Sequence, residues 1–248
     1  MTTLFISDLH LDASRPDVTS AFVRFMEIQA PGAESLYILG DFFEVWIGDD
    51  DRSEFNQLIV RQLRQYTDSG GNLFMMVGNR DFLMGEDFAA ECGAQLLADP
   101  TVIDLYGRPT LLTHGDSLCT KDTEYMAFRA QARSPEWQQN LLAQPIEARR
   151  EIARQLRAQS KSMNSMKAED IMDVTQEEVV GNMERVSVRL MIHGHTHRPD
   201  RHPLQIAGES AERIVLGDWH DHLWWLQAET DGNLQLNQAP IAPIAPVT

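Results

Sequence analysis

Short apolar runs alternate with amphipathic segments in the first part of the chain. Residues 3–6, 35–39 and 73–77 are short runs of mostly apolar or aromatic residues, which is typical of buried strands. Between them, residues 18–29 and 55–66 repeat apolar side chains at helical spacing. Strand, helix, strand, helix, strand at this rhythm predicts a largely parallel sheet with helices on both faces.

The pattern changes in the second part of the chain. Residues 102–106 and 110–113 flank a Gly-Arg-Pro turn and predict a hairpin. From about residue 121 to residue 185 the periodicity is helical throughout. Strand-like runs then return at 188–192, 213–216 and 223–227.

These changes divide the chain into three parts. We predict a core formed by residues 1–119 and 186–238, interrupted by a helical lid insertion over residues 120–185. The Ala/Pro-rich end, residues 239–248, is predicted to be a flexible tail.

Composition narrows the classes of function. The 248 residues carry a formal charge of −16, which disfavours nucleic acid as a partner because phosphate binding depends on basic side chains. Residues 120–167 differ, with nine Lys or Arg against five Asp or Glu, and predict a place for an anion. Two cysteines make no disulfide framework and no apolar run approaches the roughly 18 residues of a membrane span. We therefore expect a soluble, cytosolic protein.

Acidic, amide and imidazole side chains follow the apolar strands, at the sheet edge where α/β proteins bind ligands. The strand ends carry Asp8-Leu9-His10, Gly40-Asp41, Gly78-Asn79, His114-Gly115-Asp116 and Gly194-His195-Thr196-His197. Seven of these donors, all except Asp116, suit two metal ions about 3.5–4 Å apart, with Asp41 as the expected shared ligand. Carboxylate and imidazole without thiolate indicate Mn, Fe, Co or Zn.

The ordered pattern D-x-H, G-D, G-N, H-G-D, G-H-x-H resembles that of the calcineurin-like metallophosphoesterases, over residues 3–219. Within that superfamily, residues 6–11, 40–44, 78–82 and 114–116 are similar to the pyrophosphohydrolases that act on UDP-2,3-diacylglucosamine in lipid A biosynthesis. The resemblance implies an α/β fold of the αββα sandwich type. In a fold of this type two mixed β-sheets are flanked by helices, and the resemblance further implies an inserted helical lid.

The resemblance also implies roles for individual residues. One Mn²⁺ takes Asp8, His10, Asp41 and His197, and a second takes Asp41, Asn79, His114 and His195. The expected catalytic residues are Asn79, Arg80, His114 and His195. The expected substrate contacts are Asn79, Arg80, Asp122, Ser160, Asn164, Lys167 and His195.

The implied reaction is attack of a metal-activated hydroxide on the α-phosphorus, giving UMP and 2,3-diacylglucosamine 1-phosphate. Many members of the superfamily carry a His after the Asn, where this chain has Arg80. A phosphate leaving group needs no proton donor, so Arg80 favours a pyrophosphate substrate and offers a bidentate clamp for its oxygens. A lipid substrate further implies peripheral contact with the cytoplasmic face of the inner membrane. No nucleic acid and no obligatory protein partner are expected.

Several of these assignments have plainer alternatives. Ser160, Asn164 and Lys167 share one helix face that a solvated helix would show equally. Apolar residues near the site are candidates for acyl contacts; they are Phe42, Phe43, Trp46, Ile47, Met126 and Phe128. For Phe42, Phe43 and Trp46, simple core packing is the alternative. Asp116 either orients a ligand His or is a solvated turn residue.

Two other functions remain open from the sequence. One is a related phosphodiesterase or pyrophosphatase that acts on a soluble nucleotide. The other is a non-catalytic binding module that keeps the phosphoesterase fold, although such a module should have lost ligands and all seven are present.

Overall fold

The computed structural model of the protein describes residues 1–164, 171 and 173–242, without the side chains of residues 161–164. Within this part the strands are β1 (Thr2–Ile6), β2 (Ser35–Leu39), β3 (Asn72–Met76), β4 (Ala94–Leu97), β5 (Thr101–Leu105), β6 (Arg108–Thr113), β7 (Leu190–His193), β8 (Asp200–Ile206), β9 (Glu209–Val215), β10 (His222–Glu229) and β11 (Leu234–Pro240). They form two sheets, ordered β11-β10-β1-β2-β3-β4 and β5-β6-β7-β9-β8. Strands β1 to β4 are parallel, as are β6, β7 and β9.

Helices cover the outer faces of both sheets and one end of the sandwich. They are α1 (Pro16–Ile28), α2 (Glu54–Asp68), α3 (Glu86–Cys92), α4 (Thr123–Ala132), α5 (Pro135–Leu142), α6 (Ile146–Asn164) and α7 (Gln176–Arg185). The Ser53 side chain accepts a hydrogen bond from Asn56 N at the start of α2, which satisfies one free amide of its first turn. Gly93, in the left-handed conformation, ends α3.

Successive side chains of a strand point to opposite faces of its sheet, and the buried apolar side chains therefore form three separate layers. In β1, Leu4 and Ile6 pack with Phe22 of α1, whereas Phe5 points the other way, into the space between the sheets. In the second sheet, Ile192 faces that same space. Its neighbour Met191 instead packs with buried side chains of α7. The predicted αββα sandwich of two mixed sheets is confirmed.

Some elements differ from their prediction. Helix α3 and the strands β4, β8 and β11 were not expected from the sequence. Strand β11 continues to Pro240, two residues into the segment predicted as a flexible tail, and residues 243–248 lie outside the described part.

The predicted insertion consists of two structurally different parts. Val179 and Met183 of α7 are fully buried against the second sheet, so α7 forms the outer layer of the sandwich. Helices α4, α5 and α6 cover the end of the sandwich and are called the lid below. Among the described helices, none combines the length and the apolarity needed to cross a bilayer.

Candidate metal centre

The loops that follow five strands converge at one end of the sandwich. Parallel strands place their carboxyl ends at the same sheet edge, so donors after β1, β2 and β3 are neighbours, as are those after β6 and β7. The donors brought to this edge are Asp8, His10, Asp41, Asn79, His114, His195 and His197.

Five of these donors lie on strained backbone. Asp8, His10, Asp41, His195 and His197 have φ angles between 48° and 67°, in the left-handed region that non-glycine residues rarely adopt. Such a conformation costs on the order of 1–3 kcal/mol per residue and persists where the surroundings enforce it, which is common at functional sites.

Two donor groups result. In the first, Asp8, His10 and His197 bring their ligand atoms within 4.8 Å of one another. The Nε2 atoms of His10 and His197 face each other at 3.3 Å, and His197 Nε2 is 3.4 Å from Asp8 Oδ1. In the second, Asp41, His114 and His195 meet the same distance limit.

Asn79 and Asp41 connect the two donor groups. The side-chain oxygen of Asn79 is 3.1 Å from His114 Nε2, which places an amide oxygen at the second group. Asp41 Oδ1 is 3.6 Å from His114 Nε2, and its other oxygen is 3.9 Å from His10 Nε2. Asp41 therefore faces both groups, an arrangement compatible with the shared ligand predicted from the sequence.

The first donor group fits a cation. Asp8 is fully buried, and its Oδ2 accepts hydrogen bonds from Ser7 Oγ at 2.5 Å and from His195 N at 2.9 Å. Its Oδ1 makes no hydrogen bond within the described residues, although it faces the imidazoles. A buried anionic oxygen left without a donor is costly, and a metal ion would satisfy it.

The protonation states of the imidazoles differ. Burial disfavours the charged form of His114, but the negative charges of Asp41 and Asp8 outweigh burial and raise its pKa to about 9. Burial and the nearby charge of His114 lower the pKa of His195 to about 4. Burial also lowers the pKa of His10 from its usual value, against the attraction of Asp41 and Asp8. A cation at the second group must therefore displace a proton from His114.

The outer nitrogens of three imidazoles face oxygens, and among the described residues that of His114 forms a hydrogen bond whereas that of His10 does not. His114 Nδ1 is 2.9 Å from the main-chain oxygen of Leu39. His10 Nδ1 is 3.1 Å from Glu44 Oε2, and His197 Nδ1 is 3.6 Å from Asp218 Oδ2. Such partners fix the orientation of a ligand imidazole. Sequence reasoning missed Glu44 and Asp218, although Glu44 lies within the string Gly40–Glu44 that carried the resemblance.

Asp116 joins the metal edge to the lid. Its carboxylate is fully buried and accepts hydrogen bonds from Tyr125 Oη at 2.5 Å and from Arg129 Nε at 2.8 Å, both on α4. Arg133 Nη2 donates to the main-chain oxygen of Gly78 at 2.9 Å. The ring of Tyr125 in turn stacks on His195, with ring centres 6.0 Å apart. Asp116 is therefore no solvated turn residue.

A cavity of about 240 Å³ lies between the lid and the core, beside the donor groups. Asn79 and Arg80 line its metal end. Arg80 Nε is buried, lacks a hydrogen bond within the described residues and is 3.9 Å from Asp41 Oδ2. The apolar lining comes largely from Trp46, Ile47, Phe82, Leu83, Phe128, Trp137, Leu141, Ile152 and Leu156.

The predicted substrate residues have different positions. Ser160 lines the cavity. Asp122 is buried and its side chain caps α4 by accepting a hydrogen bond from Tyr125 N. The side chain of Asn164 and the whole of Lys167 lie outside the described residues.

The apolar residues considered for acyl contacts also lie in different parts of the structure. Phe42 and Phe43 are 0% and 1% exposed and belong to the core cluster under the first sheet, so of their two alternatives core packing applies. Trp46, Ile47 and Phe128 line the cavity, whereas Met126 is half-buried on α4 and is not part of its lining.

The chain is similar to curated proteins over nearly its whole length. A protein of Cellvibrio japonicus named UDP-2,3-diacylglucosamine hydrolase is 59% identical over 94% of this chain and 97% of its own. Proteins with the same name are 56% identical in Marinobacter nauticus, over 98% and 99% of the two chains, and 53% identical in Pseudomonas aeruginosa, over 95% and 98%.

The family model described as calcineurin-like phosphoesterase matches residues 1–199. Membership in this family implies use of a divalent metal, and the two donor groups are the candidate sites. On the sequence match and the layered fold that it covers, the chain belongs to the calcineurin-like phosphoesterases.

Proposed function

We propose that the protein hydrolyses the pyrophosphate bond of UDP-2,3-diacylglucosamine and releases UMP and 2,3-diacylglucosamine 1-phosphate. The observation that carries the proposal is the mostly apolar cavity that begins at Asn79 and Arg80, beside the donor groups, and extends under the lid. A substrate with a diphosphate at one end and acyl chains at the other matches this polarity. Relatives that are 53–59% identical bear the corresponding name.

Two Mn²⁺ ions are the proposed cofactors. Asp8, His10, Asp41 and His197 would hold one ion, and Asp41, Asn79, His114 and His195 the other. Bound divalent ions supply Lewis acidity, which lowers the pKa of water and draws charge from phosphate oxygens. Metal analysis of the purified protein tests the count, with two ions per chain expected and none expected after Asp41→Ala.

The remaining roles fall to this chain's own side chains. The guanidinium of Arg80 lies at the metal end of the cavity with a buried Nε that makes no hydrogen bond within the described residues, so it is available to hold two oxygens of the diphosphate. Asn79, His114 and His195 lie at the same edge, where they would hold the second ion against the phosphate that is attacked and so orient it. Ser160, which lines the cavity from α6, is proposed to contact the nucleotide or sugar, and Asn164 and Lys167 are proposed as further substrate contacts.

Acylated and deacylated substrates separate the lipid proposal from action on a soluble nucleotide. If acyl chains occupy the cavity, kcat/KM for the diacylated substrate should exceed that for the deacylated one by at least 100-fold, because the cavity lining is mostly apolar. Equal rates would favour a phosphodiesterase or pyrophosphatase of soluble nucleotides. No turnover of either substrate with added Mn²⁺, and no metal bound, would favour the non-catalytic module.

The position of attack is tested with labelled water. Hydrolysis in H₂¹⁸O at the α-phosphorus puts the label in UMP, whereas attack at the other phosphorus puts it in the sugar phosphate. Mass spectrometry of the two products distinguishes these results.

The proposed location is the cytoplasmic face of the inner membrane, with peripheral contact. The lid's arginines contribute little free positive charge, because three of them pair with acidic residues of the loop after β2: Arg149 with Asp50, Arg150 with Asp51, and Arg157 with Glu44. Membrane contact should therefore depend on the lipid substrate more than on anionic headgroups. Flotation with zwitterionic vesicles, with and without substrate, tests this expectation.

A further inference from the structure

The two nitrogens of His10 face different surroundings. Its Nε2 faces the donor groups, 3.3 Å from His197 Nε2 and 3.9 Å from Asp41 Oδ2. Its Nδ1 faces away from them, 3.1 Å from Glu44 Oε2, an ion-pair contact that lacks the geometry of a hydrogen bond. A carboxylate at Nδ1 favours the tautomer that carries its proton there, which leaves the Nε2 lone pair free for a metal.

The backbone holds Glu44 beside His10. Leu11 and Phe43 form an isolated parallel bridge, and Glu44 N donates to the main-chain oxygen of Leu11 at 3.0 Å. His10 N similarly donates to the main-chain oxygen of Asp41 at 3.0 Å. The two loops are therefore fixed against each other at the position where the carboxylate meets the imidazole.

The second oxygen of Glu44 binds the lid. Glu44 Oε1 forms an ion pair with Arg157 of α6, and both side chains line the cavity. A carboxylate beside a site for a diphosphate would repel the substrate, and Arg157 offsets that charge. Asp218, the corresponding acidic neighbour of His197, lies farther from its imidazole, at 3.6 Å, and is not part of the cavity lining.

We propose that Glu44 is a positioning residue that orients His10 for metal binding and links it to the lid through Arg157. The proposal rests on the proposed function and adds a residue that acts through His10 without being a metal ligand. It explains why an acidic side chain lines a cavity proposed to bind an anion. Loss of the carboxylate should weaken metal binding and also release Arg157.

The test measures Mn²⁺ binding to the full chain after removal of metal, by isothermal titration calorimetry. Glu44→Ala is expected to weaken binding by about 10–100-fold, the usual effect of removing such a partner from a ligand imidazole. Glu44→Gln keeps an acceptor for the Nδ1 proton but loses the charge, so its loss should be smaller. Glu151→Gln, which removes a carboxylate from an exposed ion pair on the same α6, is the matched control and should bind like the wild type.

A second readout reports the tautomer of His10 directly. In ¹⁵N-histidine-labelled, metal-free protein, the ring nitrogen shifts of His10 should indicate a proton on Nδ1 in the wild type and a shift toward the Nε2 tautomer in Glu44→Ala. Glu44→Gln covers the case in which the alanine variant does not fold. Mn²⁺ affinities within twofold of the wild type in both variants, with an unchanged tautomer, would overturn the proposal.

The proposed link between Glu44 and the lid is tested by replacing Arg157 and measuring KM. Arg157→Ala should leave Mn²⁺ affinity at the wild-type value and raise KM, and its effect on KM should shrink in the Glu44→Ala background because the pair is already broken. Equal effects of Arg157→Ala in both backgrounds would contradict the link. Failure of the proposed function is distinguishable, because it would show as absent turnover of the diacylated substrate by the wild type.

Discussion

Gly78 has no room for a side chain. A Cβ built on it would lie 2.2 Å from Asp41 Oδ1 and 2.3 Å from Asp41 N, so any larger residue must displace the side chain that faces both donor groups. We predict that Gly78→Ala lowers both Mn²⁺ affinity and kcat/KM by at least tenfold, since displacements of about 1 Å can cost about 100-fold in rate. Calorimetric titration and steady-state kinetics provide the two measurements.

Gly181 is the matched control for Gly78→Ala. It lies in α7, and a Cβ on it would have nothing within 4 Å. Gly181→Ala should leave activity unchanged and stabilise the helix by up to about 1 kcal/mol. Wild-type metal binding in Gly78→Ala would mean that Asp41 does not serve the metal centre.

The charge of His114 gives metal binding a defined pH dependence. In the metal-free protein its pKa is raised to about 9, so the ring carries a proton at neutral pH, which a cation must displace. We predict that Mn²⁺ binding at pH 7.5 releases at least one proton, and that the apparent affinity increases as pH rises until about pH 9. Titrations in two buffers with different ionisation enthalpies count the protons. No proton release at pH 7.5 would contradict the assignment of His114 as a ligand.

The donor residues of the site could be predicted from the sequence more fully than the residues that surround them. Asp8, Asp41 and Asn79 stand out in the sequence because a polar residue after an apolar strand needs a partner. The burial of Phe42 and Phe43 was not predictable, because a loop residue beside a ligand can face either the solvent or the core. The contact of Glu44 with His10 joins two loops that are far apart in the sequence. No local sequence pattern indicates such a contact.

Tyr125 connects helix α4 to the core through one hydroxyl. Its Oη donates to buried Asp116, while its ring faces the cavity and His195. We predict that Tyr125→Phe destabilises the protein by about 1–2 kcal/mol, because a buried carboxylate loses a donor. It should also raise KM severalfold, because α4 loses a fixed point above the cavity. Urea unfolding and kinetics with the diacylated substrate measure the two effects.

Tyr66→Phe is the control for that prediction. The Tyr66 hydroxyl is also buried and donates to the main-chain oxygen of Ala33 at 3.2 Å, far along the chain from the lid. Its loss should cost a similar amount of stability and leave KM unchanged. An equal rise of KM in both variants would show that the Tyr125 hydroxyl has no specific effect on the lid.

At the scale of elements, the sequence predicts the interior strands, but of the four edge strands in the described sheets it predicts only β5. β1, β2 and β3 are buried on both faces and read as continuous apolar runs, which is why they were found. β8 and β11 are edge strands with a proline and many polar residues, so they lack a buried pattern. Each instead forms by antiparallel pairing with its neighbour in the chain, β8 with β9 and β11 with β10.

At the scale of the molecule, each donor group joins the two sheets. In the first group, Asp8 and His10 follow β1 of the six-stranded sheet, and His197 follows β7 of the five-stranded sheet. In the second group, Asp41 follows β2, whereas His114 and His195 follow β6 and β7. The sequence shows each donor but not this pairing across the sandwich, which depends on how the sheets pack.

Metal removal should therefore lower the free energy of unfolding while the protein remains folded. The apolar layer between the sheets is independent of the donors, so far-UV circular dichroism should be unchanged after chelation. Mn²⁺ at about 100 times its dissociation constant should then add about 2.7 kcal/mol to the free energy of unfolding and raise Tm by roughly 5–10 °C, because the ion binds only the folded arrangement. Asp41→Ala should abolish this increase while the secondary structure persists. An equal increase of Tm in Asp41→Ala would show that the stabilising ion binds elsewhere.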